Sequence, residues 1–137
     1  MAAKIFIDTN LLVYSMDSNE PQKREKCREA LRRVRDHYRG VLSTQVMQEF
    51  FVAATKKLGV DVLQAKNIVR QFENFEVVTV SPGLIYEAID CSILNQLSFW
   101  DSLIVVAAES AKCNEIWSED LNTGQIIRGI RVVNPLK

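Results

Sequence analysis

Five short apolar runs punctuate the 137-residue chain: "KIFI" from Lys4, "VLST" from Val41, "EVVTV" from Glu76, "EIW" from Glu115 and "IRVVNP" from Ile130. Each is too short for a helix, and segments of helical periodicity separate them. A short strand that reads as an unbroken apolar run has no solvent face. Such strands alternating with helices describe a parallel sheet covered on both sides. The length suits one core, so a single domain over 1–137 is expected, with no repeat or linker.

The intervening segments carry the punctuation of helices. Residues 22–38 place Cys27, Leu31, Val34 and Tyr38 on one stripe, with Lys and Arg elsewhere, and Gly40 is read as the stop. Ser43 or Thr44 can cap "QVMQEFFVAATKKLG", whose apolar face contains Val46, Met47, Phe50, Phe51, Ala54 and Leu58. "DVLQAKNIVRQFENF" is a further helix. Ser81–Pro82 opens another that runs to about Leu97. "FWDSLIVVAAESAKC" is apolar almost all round and is expected to be buried on more than one side. "SEDLNTGQIIRG" reads as a loop and short helix.

Four acids fall in matching places. Asp8 ends the first strand, Asp120 follows the "EIW" strand, Asp101 opens the most apolar helix, and Glu49 lies in the first turns of the helix after strand two. Singly, each has an ordinary role: Asp101 as a first-turn acid favoured by the helix dipole, Asp120 in an Asx-turn, Glu49 in solvent. In a parallel α/β layout, however, strand ends and the following helix starts share one edge, where ligands bind. Four carboxylates there need a counter-charge, and a hard divalent cation such as Mg²⁺ or Mn²⁺ prefers oxygen ligands. No histidine or cysteine cluster competes, since His37 is the sole histidine and lies on the basic helix. There is no glycine-rich phosphate loop and no nucleophile elbow.

Composition narrows the remaining classes. Formal net charge is zero, which argues against coating nucleic acid by bulk charge, but the distribution is uneven. Lys23 to Arg39 holds eight basic and three acidic residues, net +5, so the rest carries −5. Cys27, Cys91 and Cys113 form no CxxC pair and are expected to be reduced. No run approaches a membrane span, and the N-terminus lacks a signal peptide's basic head and cleavage site, so a cytoplasmic location is expected.

"FIDTNLLVY", Glu49 in "QVMQEFF", "LSFWDSLIVVAA" and "SEDLNTGQ" with the later "IRVVNP" together resemble PIN-domain proteins of the VapC-like toxin type, across nearly the whole chain and in order. The resemblance implies a three-layer α/β/α fold with a central parallel five-stranded sheet. It also implies a Mg²⁺- or Mn²⁺-dependent endoribonuclease site. By matching motifs, Asp8, Asp101 and Asp120 would hold one or two ions, and Glu49 would complete the site or orient the attacking water. Thr9 and Asn10 would support the first motif, and Ser118 would orient ligands from behind. Of the adjacent pair Glu119 and Asp120, whose side chains should diverge, motif position selects Asp120. Arg24, Arg28, Arg32, Arg35 and Arg39 are expected either to contact RNA phosphates or simply to be solvated. The resemblance further implies a homodimer and a cognate antitoxin whose tail lies across the acidic cleft. A catalytically inactive PIN-like binding module is the alternative. An acid-based phosphatase is disfavoured because Asn10 stands where a second Asp would be required.

Overall fold

The computed structural model describes residues 2–137. β1 (Lys4–Ile7) buries Ile5, Phe6 and Ile7 completely, so neither of its faces meets water and it must lie inside a sheet. It pairs in parallel with β2 (Arg39–Ser43) on one side and β4 (Glu115–Trp117) on the other. β3 (Glu76–Val78) continues beyond β2, and β6 (Ile130–Val133) beyond β4, both parallel. These are the five runs picked out in the sequence.

A sixth strand corrects the sequence reading of residues 118–129. β5 (Ile126–Ile127) pairs antiparallel with β6 at the sheet edge, giving the order β3-β2-β1-β4-β6-β5. Where a short helix was expected, Arg128 and Gly129 both adopt positive φ, 51° and 80°. That pair of angles makes a two-residue hairpin loop with the twist of the flanking strands. The apolar "II" is spent on the hairpin and not on a helix.

Side-chain caps set the helix starts. Asp8 caps the short α1 (Thr9–Tyr14), Ser43 caps α3 (Thr44–Lys56), and Asp61 caps α4 (Val62–Gln71). Ser81 caps α5 (Pro82–Asn95), and Ser98 caps α6 (Phe99–Ser110). α2 (Pro21–His37) begins instead with proline in its first turn. It buries Cys27, Ala30 and Val34, with Leu31 and Tyr38 half-buried beside them. Gly40 does not stop this helix. It lies within β2, where a Cβ would stand 2.5 Å from Cδ1 of Phe75, so close packing of the Phe75 ring on the strand calls for glycine.

The chain travels outward from β1 to β3 and then crosses back to β4. Right-handed crossovers therefore place α1–α4 on one face and α5–α6 on the other, giving three layers. α6 is buried without a break from Ser102 to Ala108, between α5 and the sheet, as its uniform apolarity predicts. The three cysteines are free and buried. No single helix among the described residues is long and apolar enough to cross a membrane.

The crossing point has a consequence for chemistry. Strands on either side of it leave their carboxyl ends diverging, and a crevice opens there. Asp8 follows β1 and Ser118–Asp120 follows β4, the two strands that meet at that point.

Candidate active site

Asp8 bonds both to its neighbours in α1 and to the distant segment that ends β4. Its backbone N–H extends the ladder by donating to the Trp117 carbonyl at 3.0 Å. Its Oδ1 accepts from Thr9 N at 2.7 Å, starting α1. Its Oδ2 accepts from Ser118 Oγ at 2.8 Å and from Asn10 Nδ2 at 3.3 Å. Only 7% of the residue remains exposed. Burial is the main reason its pKa is pushed up to about 6; the Ser118 and Thr9 hydrogen bonds oppose this, while the charges of Glu49 and Asp120 add to it. The site therefore holds a carboxylate whose charge is unfavourable unless a positive group balances it.

Ser118 and Asn10 tie two strand ends together. The fully buried Ser118 hydroxyl donates to Asp8 and accepts from the backbone N–H groups of Asp120 and Leu121, at 3.1 and 3.3 Å. Asn10 Nδ2 reaches Asp120 Oδ2 at 3.1 Å and Ser118 Oγ at 3.4 Å, and Asn10 Oδ1 accepts from Glu119 N at 3.2 Å. The carboxylates of Asp8 and Asp120 thus face one amide nitrogen. Glu119 turns the other way: its Oε1 pairs with Lys23 of α2 at 2.7 Å. The adjacent pair diverges as strand-end geometry requires, with Asp120 on the side of Asp8.

Glu49 enters from α3 and is exposed. Its Oε1 accepts from Thr9 Oγ1 at 2.7 Å and its Oε2 from Gln45 Nε2 at 3.2 Å. Gln45 also donates to the Trp100 carbonyl at 3.2 Å, which links α3 to the start of α6. Sequence reasoning passed over this buried glutamine. Its signal was an amide four residues before an acid on one helix, a spacing at which side chains meet. Asp101 lies one residue beyond Trp100, half-buried, with its backbone N–H on the Ser98 cap at 3.1 Å. Its carboxylate shares no hydrogen bond with the other three acids. The structure therefore brings Asp8, Asp120 and Glu49 into one bonded group through Asn10 and Thr9, which the Asp101 carboxylate does not join by a hydrogen bond among the described residues.

An open cleft of about 700 Å³ runs past this group, lined by Thr9, Asn10, Glu49, Trp100 and Asp120 among others. The donor set is all oxygen, which fits a hard divalent cation in chemistry and in its need for positive charge beside Asp8. In this arrangement Asn10 and Thr9 space the acids apart. Among the described residues, no three His, Cys, Asp or Glu side chains gather on one point.

The basic helix leads away from the acids. Arg28, Arg32, Arg35 and Arg39 line a second cleft of about 660 Å³, which ends against the start of β2. Arg28 Nε donates to the Ser15 carbonyl at 2.8 Å, and Arg35 pairs with its neighbour Asp36 at 2.9 Å. Arg24 is half-buried, and its Nε has no hydrogen-bond partner among the described residues.

Comparison with known proteins bears on this site through the fold. The family model for the PIN domain matches residues 5–126. No curated protein sequence matches the chain. Among solved structures, a chain of a toxin-antitoxin complex from Klebsiella pneumoniae is similar, with a TM-score of 0.70 at 19% identity over 96% of this chain and 97% of that one. A VapBC2 chain from Rickettsia felis, solved bound to a DNA fragment from their promoter, gives 0.67 at 15% over 94% and 96%. VapC20 of Mycobacterium tuberculosis, a sarcin-ricin loop cleaving toxin, gives 0.62 at 15% over 85% and 91%.

Proposed function

Because the chain belongs to the PIN domain family, we propose that it is a metal-dependent endoribonuclease, the toxin of a VapC-like toxin–antitoxin pair. One observation carries the reading: the buried Asp8 carboxylate is bonded to Ser118 and shares Asn10 with Asp120, at the point where the chain reverses direction across the sheet. The similar fold of the VapC20 toxin supports RNA as the substrate.

Asp8, Asp101 and Asp120 would hold Mg²⁺ or Mn²⁺, with Glu49 completing the site. When bound, the ion supplies positive charge to the phosphodiester and lowers the pKa of water. The protein's own residues do the positioning. Ser118 fixes Asp8 and the backbone of the Asp120 turn together, Asn10 holds Asp8 and Asp120 at one spacing, and Thr9 and Gln45 aim Glu49 into the cleft. Glu119, neutralised by Lys23, stays outside the donor set. Arg24, Arg28, Arg32, Arg35 and Arg39 would contact phosphates distant from the scissile one. The clefted face would receive the antitoxin tail. Ile85, Tyr86, Ile89, Ile93 and Leu94 form an exposed apolar stripe on α5 that suits a second copy of the chain. The working unit would be a single PIN-like domain over 1–137, acting in the cytoplasm.

The test is incubation of the purified protein, freed of any partner, with defined RNAs in Mg²⁺, Mn²⁺ or EDTA, beside Asp8→Asn. Cleavage should require metal and fall about 1,000-fold or more in the variant, the scale of losing roughly 4 kcal/mol of transition-state stabilisation. Cleavage unchanged by both EDTA and the substitution would sink the assigned site. One observation favours a second reading, a non-catalytic PIN-like binding module: among the described residues no three acidic side chains converge on one point. RNA binding without cleavage of any RNA under every metal condition would select it.

A further inference from the structure

Beyond the acids the cleft changes character. Tyr14, the last residue of α1, lines it together with Val13, Val52, Ala53 and Lys57. Two ammonium groups lie against the Tyr14 ring, Lys23 Nζ at 4.2 Å from the ring centre and Lys57 Nζ at 5.3 Å. They are not equivalent. Lys23 is committed to Glu119 at 2.7 Å. Lys57 is exposed and has no carboxylate within ion-pairing distance among the described residues.

Helical spacing fixes where this pair stands relative to the acids. Tyr14 is one turn beyond Asn10 on α1. Lys57 follows Glu49 and Ala53 at four-residue steps, so it stands about 12 Å further along the axis of α3. A strand of RNA with one phosphate at the acids would run along the apolar wall towards this free cation. The half-buried tyrosine ring is held by packing and gives a base a rigid face with little entropy to lose.

We propose that Tyr14 and Lys57 form a nucleotide subsite, Lys57 binding a phosphate further along the strand than the scissile one and Tyr14 stacking a base. This deepens the ribonuclease reading and rests on it. The uncommitted cation would offset the repulsion that a polyanion meets at Glu49 and Asp120. Its retreat from the Tyr14 ring to the phosphate would leave more of the ring open to the base. Lys23, held by Glu119, stays behind as the fixed cation on the ring.

The subsite is tested by anisotropy titrations of short random-sequence single-stranded RNA, across a salt series, in the Asp8→Asn background. Lys57→Ala should lower the slope of log affinity against log salt by about 0.7, the value of one phosphate contact on a single strand, and Lys57→Arg should restore it. Tyr14→Leu should weaken RNA binding about 5- to 100-fold with the slope unchanged, while Tyr14→Phe binds as the parent does. Inorganic polyphosphate, which has no bases, should respond to Lys57→Ala but not to Tyr14→Leu. A salt slope unaltered by Lys57→Ala overturns the proposal, as does a Tyr14→Leu loss equal on polyphosphate. So does a Lys57→Ala defect confined to poly-glutamate, which would assign the pair to a protein partner. Thermal melts check folding, and if Tyr14→Leu does not fold the Lys57 arms decide. Metal-dependent cleavage by the unsubstituted protein separates the outcomes: with cleavage present and Lys57→Ala unaltered, the subsite alone falls. With neither cleavage nor RNA binding, both readings fall.

Discussion

The acid edge has two halves that differ in how they are held. Asp8 and Ser118 are buried and, with Asn10, each make several hydrogen bonds that join β1 to β4. Glu49 is exposed and Asp101 half-exposed; they stand on helix starts, reached through Thr9, Gln45 and the Trp100 carbonyl. In the buried half, a polar group without its partner is costly, so geometry is rigid and each member depends on the others. In the exposed half, water can replace a lost contact. The same edge thus combines a fixed pair of oxygens with side chains free to adjust around a ligand.

The largest test of this contrast is Asp8→Asn, which should damage function while helping the fold. Asp8 is ionised at neutral pH against its surroundings, and its raised pKa of about 6 means that the protonated form is the one folding favours. Stability from this group is present below the ordinary carboxylate pKa near 3.8 and is lost as pH rises through 6. Replacing it by a neutral amide should therefore stabilise the metal-free protein at pH 7. The gain is about 1–2 kcal/mol after subtracting a hydrogen bond that Asn cannot reproduce. Urea unfolding of both proteins in EDTA should show the full gain above pH 6 and no gain near pH 4, where only the small loss of that hydrogen bond remains. A variant less stable than the parent at pH 7 would break the account of Asp8 as a strained charge.

Next in size is Ser118→Ala. It removes the hydroxyl that Asp8 and two backbone N–H groups share, leaving buried polar atoms unpaired at a cost of about 1–3 kcal/mol. Metal-dependent cleavage should fall roughly 10- to 100-fold, as for other residues that orient ligands. Both losses together, read by unfolding and by initial rates, distinguish a structural tie from a spectator.

Glu49→Gln should have the smallest effect on the fold, within about 0.5 kcal/mol, because an exposed side chain on a helix surface seldom contributes more. Cleavage should fall about 10-fold, through weaker metal binding, and recover in part at higher Mg²⁺ or Mn²⁺. A stability loss as large as that of Ser118→Ala would erase the distinction between the two halves.

Much of this architecture was legible in short windows of sequence. The five apolar runs are the five parallel strands, Ser43 and Ser81 cap the helices they precede, and the uniformly apolar segment after Asp101 is the buried α6. These features depend on contacts within about four residues, or on burial so complete that every position must be apolar. The two misread glycine-containing segments fail for the complementary reason. Gly40 resembles a helix stop until Phe75 is brought against it, and "QIIRG" resembles a helix start until Ile127 meets Ile130 across a hairpin.

The acids themselves were visible as residues, and their relations were not. Which of Glu119 and Asp120 turns towards Asp8 was decided by Lys23 on one side and Asn10 on the other. That Gln45 joins Glu49 to the start of α6 depends on two helices meeting. The bond from Ser118 to Asp8 spans 110 residues. The sequence alone determined the strands, the caps and the supply of carboxylates, because local periodicity and burial dictate residue type. Only the tertiary structure decided which carboxylates share a hydrogen-bond partner, because side-chain hydrogen bonds form after the strands are side by side and the pattern along the chain does not encode them.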